Sequence, residues 1–214
     1  MKTLKLKKAL KTTIFTHEEI ANILKDEVSN VNAKISYMTK QRILIRLKKG
    51  LYTFTGLYQD GVDSIAIANR LYAPSYVSFD YALSYYGLIP ERVYEVTSAT
   101  LHTKKVFDTP LGRFSYRPIP MDVYALGIDW LYDERDGGKF IATPEKALCD
   151  KIRGDRGLGR LNQEKTRVYL MHDLRIEWEL LLSLDTGLIE EIAKRYKSYN
   201  LKNLTSLLKK EKNV

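Results

Sequence analysis

The sequence predicts an α+β fold in two parts, and three observations carry that expectation. Positive charge is concentrated in the first quarter of the chain, helical periodicity gives way to period-2 alternation near residue 43, and the residue texture changes after a glycine-bracketed stretch at 56–61. Residues 1–56 hold twelve Lys and Arg against four acids (Glu18, Glu19, Asp26, Glu27), while the other 158 residues hold 23 against 22. The net charge of +9 therefore belongs almost wholly to the first segment. Such asymmetry is expected of a polyanion-binding module joined to a nearly neutral body. The predicted boundaries are 1–56 and 62–214, with "GLYQDG" between them.

The totals exclude several classes. With 214 residues, 44% hydrophobic and 29% charged, the chain has an ordinary globular balance and no apolar run approaching the roughly 20 residues of a membrane span. The N-terminus "MKTLKLKKALKTTIF" lacks the continuous apolar region and small-residue cleavage site of a signal peptide. A single cysteine, Cys149, excludes an intramolecular disulfide framework and fits a reducing compartment, so a cytoplasmic location is expected.

Within the first segment, "KTLKLKKAL" reads as a short helix. "TIFTHEEIANILKDE" contains a full helix start: Thr16 as N-cap, Glu19 closing a capping box, and Phe15 with Ile20 as a hydrophobic staple. In "NVNAKISYMTKQRIL" the apolar positions Val31, Ile35 and Met38 share one helical face, while Asn32, Ser36 and Lys40 share another. "LIRLKKGLYTF" then alternates like a hairpin, with Lys48-Lys49-Gly50 at its turn. Three helices followed by a hairpin with a basic tip is the order of a winged helix-turn-helix, whose third helix enters the DNA major groove. Clustered cations at a turn repel one another until phosphate neutralises them and counterions are released. Asn32, Ser36 and Tyr37 are the candidates for reading base edges. Lys34, Lys40, Arg42, Arg46, Lys48 and Lys49 are the candidates for phosphate. Tyr37 serves equally as packing on a helix flank, and Arg42 equally suits the C-terminal dipole of the third helix.

The second segment reads as α+β, with helices around a small antiparallel sheet and a helical C-terminus. "VDSIAIANRLY" is a helix capped by Asp63 or Ser64, and "SFDYALSYYGL" is a helix that starts near Ser78 and is stopped by Gly87. Strands follow in "RVYEVTSAT", "KKVFDTPLGRFSYRPI" and "YALGIDWLYDERDGGKFIAT". Thr143-Pro144 opens another helix, and three helices are expected from Gln163 onward, broken at 185–187 and 198–200.

Catalytic chemistry is sparse. His17, His102 and His172 are scattered without ligand spacing, so no metal site is expected, and Cys149 has no partner for nucleophilic work. Glu145, Lys146 and Asp150 in "PEKALCD" loosely match the acid pair and lysine of a metal nuclease, although Glu145 equally suits the first turn of a helix. The stretch "KIRGDRGLGRL" does not follow a strand and is not a dinucleotide or P-loop fingerprint, so no cofactor is expected. Its Arg153, Arg156 and Arg160 are candidates for a second phosphate contact, or simply a solvated loop.

The stretches "SYVSFDYALSYYGLIPERVYEVTSAT", "DTPLGRFSYRPI" and "FIATPEKALCDKI" resemble the AbiEi-type antitoxins of abortive-infection toxin–antitoxin systems. The winged-helix reading of the first segment is similar to that family's other domain, so the resemblance spans about residues 10–153. It implies a transcriptional autorepressor binding inverted repeats upstream of its own operon, and a second domain opposing a nucleotidyltransferase-like toxin without a stable complex. Ser78, Asp80, Tyr85, Gly87, Arg117, Thr143, Pro144 and Lys146 are carried over only as members of the motif stretches; no catalytic residue is implied. Two copies on an inverted repeat would add phosphate contacts and site length together. The competing expectations are a metal-dependent nuclease and an RNA-binding regulator.

Overall fold

A computed structural model describes residues 2–10, 12–56 and 62–212; the predicted linker lies mostly outside them. The first segment runs α1 (Lys2–Ala9), β1 (Ile14–Thr16), α2 (His17–Leu24), α3 (Val31–Lys40), β2 (Leu44–Lys48) and β3 (Leu51–Phe54). Its strands form an antiparallel sheet in the order β1-β3-β2. The helix start is as the sequence predicts: Thr16 Oγ1 accepts the Glu19 amide at 3.2 Å, and Glu19 accepts the Thr16 amide at 2.6 Å. Phe15 and Ile20 are both fully buried in one cluster with Phe54, whose ring centroid is 5.0 Å from that of Phe15.

The helix α3 ends in a Schellman arrangement. The Ile43 amide donates to Met38 O at 2.9 Å and the Arg42 amide to Thr39 O at 3.0 Å. This places Arg42 at φ 54°, a left-handed conformation that favours glycine. Arg42→Gly is therefore expected to stabilise the protein by about 1 kcal/mol, read as a higher midpoint in urea. An unchanged or lower midpoint would show that Arg42 contributes more than it costs.

The three-stranded sheet is covered on both faces. Phe15, Leu44, Tyr52 and Phe54 face the helices, whereas Ile14, Leu47 and Leu51 join the larger apolar cluster of the second segment, with Ile45 packed against it. Alternation thus buries both sets, which is why all four residues of β3 are buried. Polar contacts tie the two segments as well. The Thr13 amide donates to Arg135 O at 3.4 Å, the Thr13 hydroxyl to the Asp136 carboxylate, and Arg70 Nη2 to Ile14 O at 3.4 Å.

The second segment continues α4 (Ser64–Leu71), β4 (Ser75–Val77), α5 (Phe79–Tyr85), β5 (Val96–Thr100), β6 (Lys105–Thr109), β7 (Gly112–Pro118), α6 (Met121–Tyr124), β8 (Ile128–Asp133), β9 (Gly137–Ala142) and α7 (Pro144–Gly154). Its sheet has six strands in the order β6-β7-β5-β4-β9-β8. It is mixed, which corrects the antiparallel sheet expected from sequence: β5 pairs parallel with β7, and β4 parallel with β9. Tight turns join β6 to β7 and β8 to β9, but the second strand of each hairpin lies inside, against an earlier strand running the same way. Turn residues reveal which strands are joined, not which of the two lies inward.

The C-terminus comprises α8 (Gln163–Val168), a π-helical turn (Tyr169–Asp173), α9 (Trp178–Ser183), α10 (Thr186–Tyr196) and α11 (Tyr199–Lys212). The expected breaks near 185 and 198 are present, with Asp185 capping α10 and Lys197 left-handed at φ 50°. A further break after the π-turn divides the first expected helix, where Arg175 adopts φ 52° and the Ile176 amide turns back to Leu170 O at 2.9 Å. The sequence there has neither glycine nor proline to announce it.

Candidate nucleic-acid interface

Hydrophobic periodicity orients α3. Ile35 and Met38 are buried in the cluster with Phe15 and Phe54, so Asn32, Ser36, Tyr37 and Lys40 are turned outward and exposed. Tyr37 is 53% exposed, which decides its status: it is not flank packing. Lys34 Nζ sits 5.0 Å from the centre of the Tyr37 ring, a cation–π pair that holds both side chains at the surface. Asn32 Oδ1 lies 2.7 Å from His17 Nε2, which ties the first turn of α2 to α3, and Asn32 remains exposed. His17 thus adjoins the outward face of α3, a place that its lack of metal-ligand spacing in the sequence does not reveal.

At the hairpin the expected cations separate. Lys48 is opposite Leu51, leaving Lys49 and Gly50 as the turn, with Gly50 at φ 80° and its carbonyl accepting the His17 amide at 2.9 Å. Arg46 and Lys49 are exposed. Lys48 instead donates to the Leu71 carbonyl at the end of α4, at 2.7 Å. Burial, with the nearby Arg70 charge adding to it, lowers its pKa from the usual lysine value. Lys48 therefore fastens the hairpin to α4, where a cation complements the helix C-terminus, rather than standing beside Lys49. The Arg42 carbonyl accepts the Thr55 hydroxyl while its side chain is exposed.

The second cationic group also divides. Arg153 and Arg156 line a cleft at the end of α7, while Arg160 stands 5.2 Å over the Tyr199 ring on α11 and does not line it. The motif stretches converge beside the same helix. Asp150 Oδ1 accepts from Lys146 Nζ at 2.6 Å and Tyr196 OH at 2.6 Å; Oδ2 accepts from Ser78 Oγ at 2.8 Å and Tyr76 OH at 3.0 Å. Lys146 and Asp150 have no exposed side-chain surface. Burial, reinforced by the Asp150 charge, pushes the phenols of Tyr76 and Tyr196 upward, so both remain protonated donors. Asp80 pairs with Lys151 at 2.7 Å. Ser78, Asp80, Arg117 and Lys146 are thus neighbours in space, whereas Tyr85 is exposed and Gly87 ends α5 at φ 69°.

This geometry bears on Glu145, Lys146 and Asp150, the acid pair and lysine that loosely match a metal nuclease. Each Asp150 oxygen already accepts two hydrogen bonds, and Glu145 Oε1 accepts the Asp185 amide at 3.0 Å. The three side chains hold elements together. Among the described residues no group of three or more His, Cys, Asp or Glu is placed to hold a metal ion. Cys149 is fully buried, and burial pushes its thiol pKa up, leaving it an inert apolar residue. Among the described residues no helix is long and apolar enough to cross a membrane.

No family model matches this chain, and no curated protein matches it at a significant level.

Proposed function

We propose that the first segment is a winged helix-turn-helix and that the protein is a sequence-specific repressor binding duplex DNA upstream of its own reading frame. The observation that carries this reading is the arrangement α1-β1-α2-α3-β2-β3 with sheet order β1-β3-β2, from which the polar face of α3 projects outward beside the exposed cations Arg46 and Lys49. In a winged helix such a third helix reads the major groove while the hairpin meets neighbouring phosphate. The role of antitoxin against a nucleotidyltransferase-like toxin, acting in the cytoplasm without a stable complex, rests on the resemblance of residues 10–153 to AbiEi-type proteins. Two copies on an inverted repeat give the site its length.

Ser36 lies mid-face on α3 and tests the assignment. In competition between a duplex of the upstream region and a scrambled duplex of equal composition, Ser36→Ala is expected to reduce the preference for the upstream sequence about 5-fold or more. Binding to the scrambled duplex is expected to stay the same, because a hydroxyl adds nothing to phosphate neutralisation. An unaltered preference would remove α3 as the reading element.

A further inference from the structure

Cations from three parts of the chain meet in one cleft of about 880 Å³, the size of a small-ligand site. Lys104 comes from the turn between β5 and β6, Arg117 from β7, and Lys151, Arg153 and Arg156 from the end of α7 and just beyond it. The C-terminal dipole of α7 accounts for Lys151 and Arg153. It does not account for Lys104 and Arg117, which other segments bring to the same place. Lys151 is paired with Asp80, but Lys104, Arg153 and Arg156 enter none of the ion pairs among the described residues.

Two acids share the cleft, and both are engaged. Asp150 is matched by Lys146 beneath it, and Asp155 accepts from the Tyr169 hydroxyl and the Gly157 amide, each at 3.4 Å. The cleft is therefore electropositive. Converging like charges repel, and a bound polyanion reverses that repulsion through charge-assisted hydrogen bonds. An apolar wall, Pro118-Ile119-Pro120, continues from Arg117, giving the site more room and a different surface than a bare phosphate needs.

The floor is held in an unusual shape. Phe79 is buried at φ 57°, a left-handed conformation costly for an aromatic residue, and Arg117 stands 4.9 Å over its ring. Backbone strain of this kind gathers at ligand sites. Gly154 leaves room for the pair: a Cβ there would approach Phe79 Cε1 to 3.3 Å and Arg117 Nη1 to 3.7 Å.

We propose that this cleft binds a phosphorylated small molecule of nucleotide size, with its phosphates on Lys104, Arg117, Arg153 and Arg156 and its organic part along Pro118–Pro120. The site is separate from the DNA-reading face of α3 and stands whether or not that reading holds.

The test is isothermal titration calorimetry of the full chain with ATP, GTP and inorganic phosphate at matched ionic strength. It is repeated on Lys104→Ala/Arg156→Ala, two exposed side chains that enter no ion pair among the described residues. At least one nucleotide is expected to bind with one-to-one stoichiometry and more tightly than inorganic phosphate. The double variant is expected to weaken that binding about tenfold or more while keeping its thermal midpoint without ligand. Absence of nucleotide binding, equal affinity for inorganic phosphate, or undiminished binding by the variant would each overturn the assignment. If nucleotides fail while the variant lowers the salt dependence of duplex binding, the cleft is a DNA-backbone contact and the small-ligand proposal is wrong.

Discussion

Lys146→Met is expected to lower stability by about 3–5 kcal/mol, because it leaves the Asp150 carboxylate charged and buried without its cation. For a chain of this size that corresponds to a fall of roughly 10 °C in Tm. The partners explain the magnitude. Lys146 and Asp150 are one turn apart on α7, and the ammonium also faces the Tyr196 ring at 4.8 Å and the Tyr76 ring at 5.8 Å. Through Tyr76, Ser78 and Tyr196 the same carboxylate joins β4, the start of α5 and the end of α10. Asp150→Leu is expected to be comparably harmful, since it strands the lysine. The double variant Lys146→Met/Asp150→Leu buries no charge and is expected to cost less than the two single losses combined. Urea denaturation of the four proteins gives the comparison. A loss below about 1 kcal/mol for Lys146→Met would show that the pair is not what secures these elements.

The second large effect lies at the hairpin, where the structure separates cations that look equivalent in sequence. Replacing exposed Arg46 and Lys49 by alanine is expected to make the plot of log affinity against log salt shallower by about two units, one for each phosphate contact removed. Lys48→Ala is expected to leave that slope nearly unchanged and to lower stability instead, because its ammonium is bound to the Leu71 carbonyl. A charge-assisted hydrogen bond of this kind contributes about 1.5–3 kcal/mol. Fluorescence anisotropy with a labelled duplex gives the slopes, and urea denaturation gives the stabilities. A slope reduced equally by Lys48→Ala would place Lys48 on DNA and contradict its role as a fastening.

Helix starts are legible in the sequence. The capping box of Thr16 and Glu19, the Thr143 cap and the inward face of Ile35 and Met38 follow from short-range rules, and each is present; of the two caps open at 63 and 64, the structure uses Asp63. What involves distant partners is not. Period-2 alternation of Ile45 and Leu47 with Leu44 and Arg46 predicts a strand, but not that Leu44 meets the helices of the first segment while Ile45 and Leu47 meet the body of the second. β4 occupies the middle of the sheet, yet its three residues carry too little pattern to be legible as a strand. Of the cleft, the stretch 151–161 supplied Arg153 and Arg156, but Lys104 and Arg117 arrive from other segments, and only folding brings them together.

The measurement that decides whether this protein is a DNA-binding repressor is titration of the full chain into a labelled duplex of its own upstream region, with a scrambled duplex alongside, in chelator and across a salt series. A repressor binds the upstream duplex more tightly, undiminished by the chelator, with log affinity that falls linearly with log salt. Equal affinity for both duplexes at every salt concentration, or binding that requires a divalent metal, would contradict that reading.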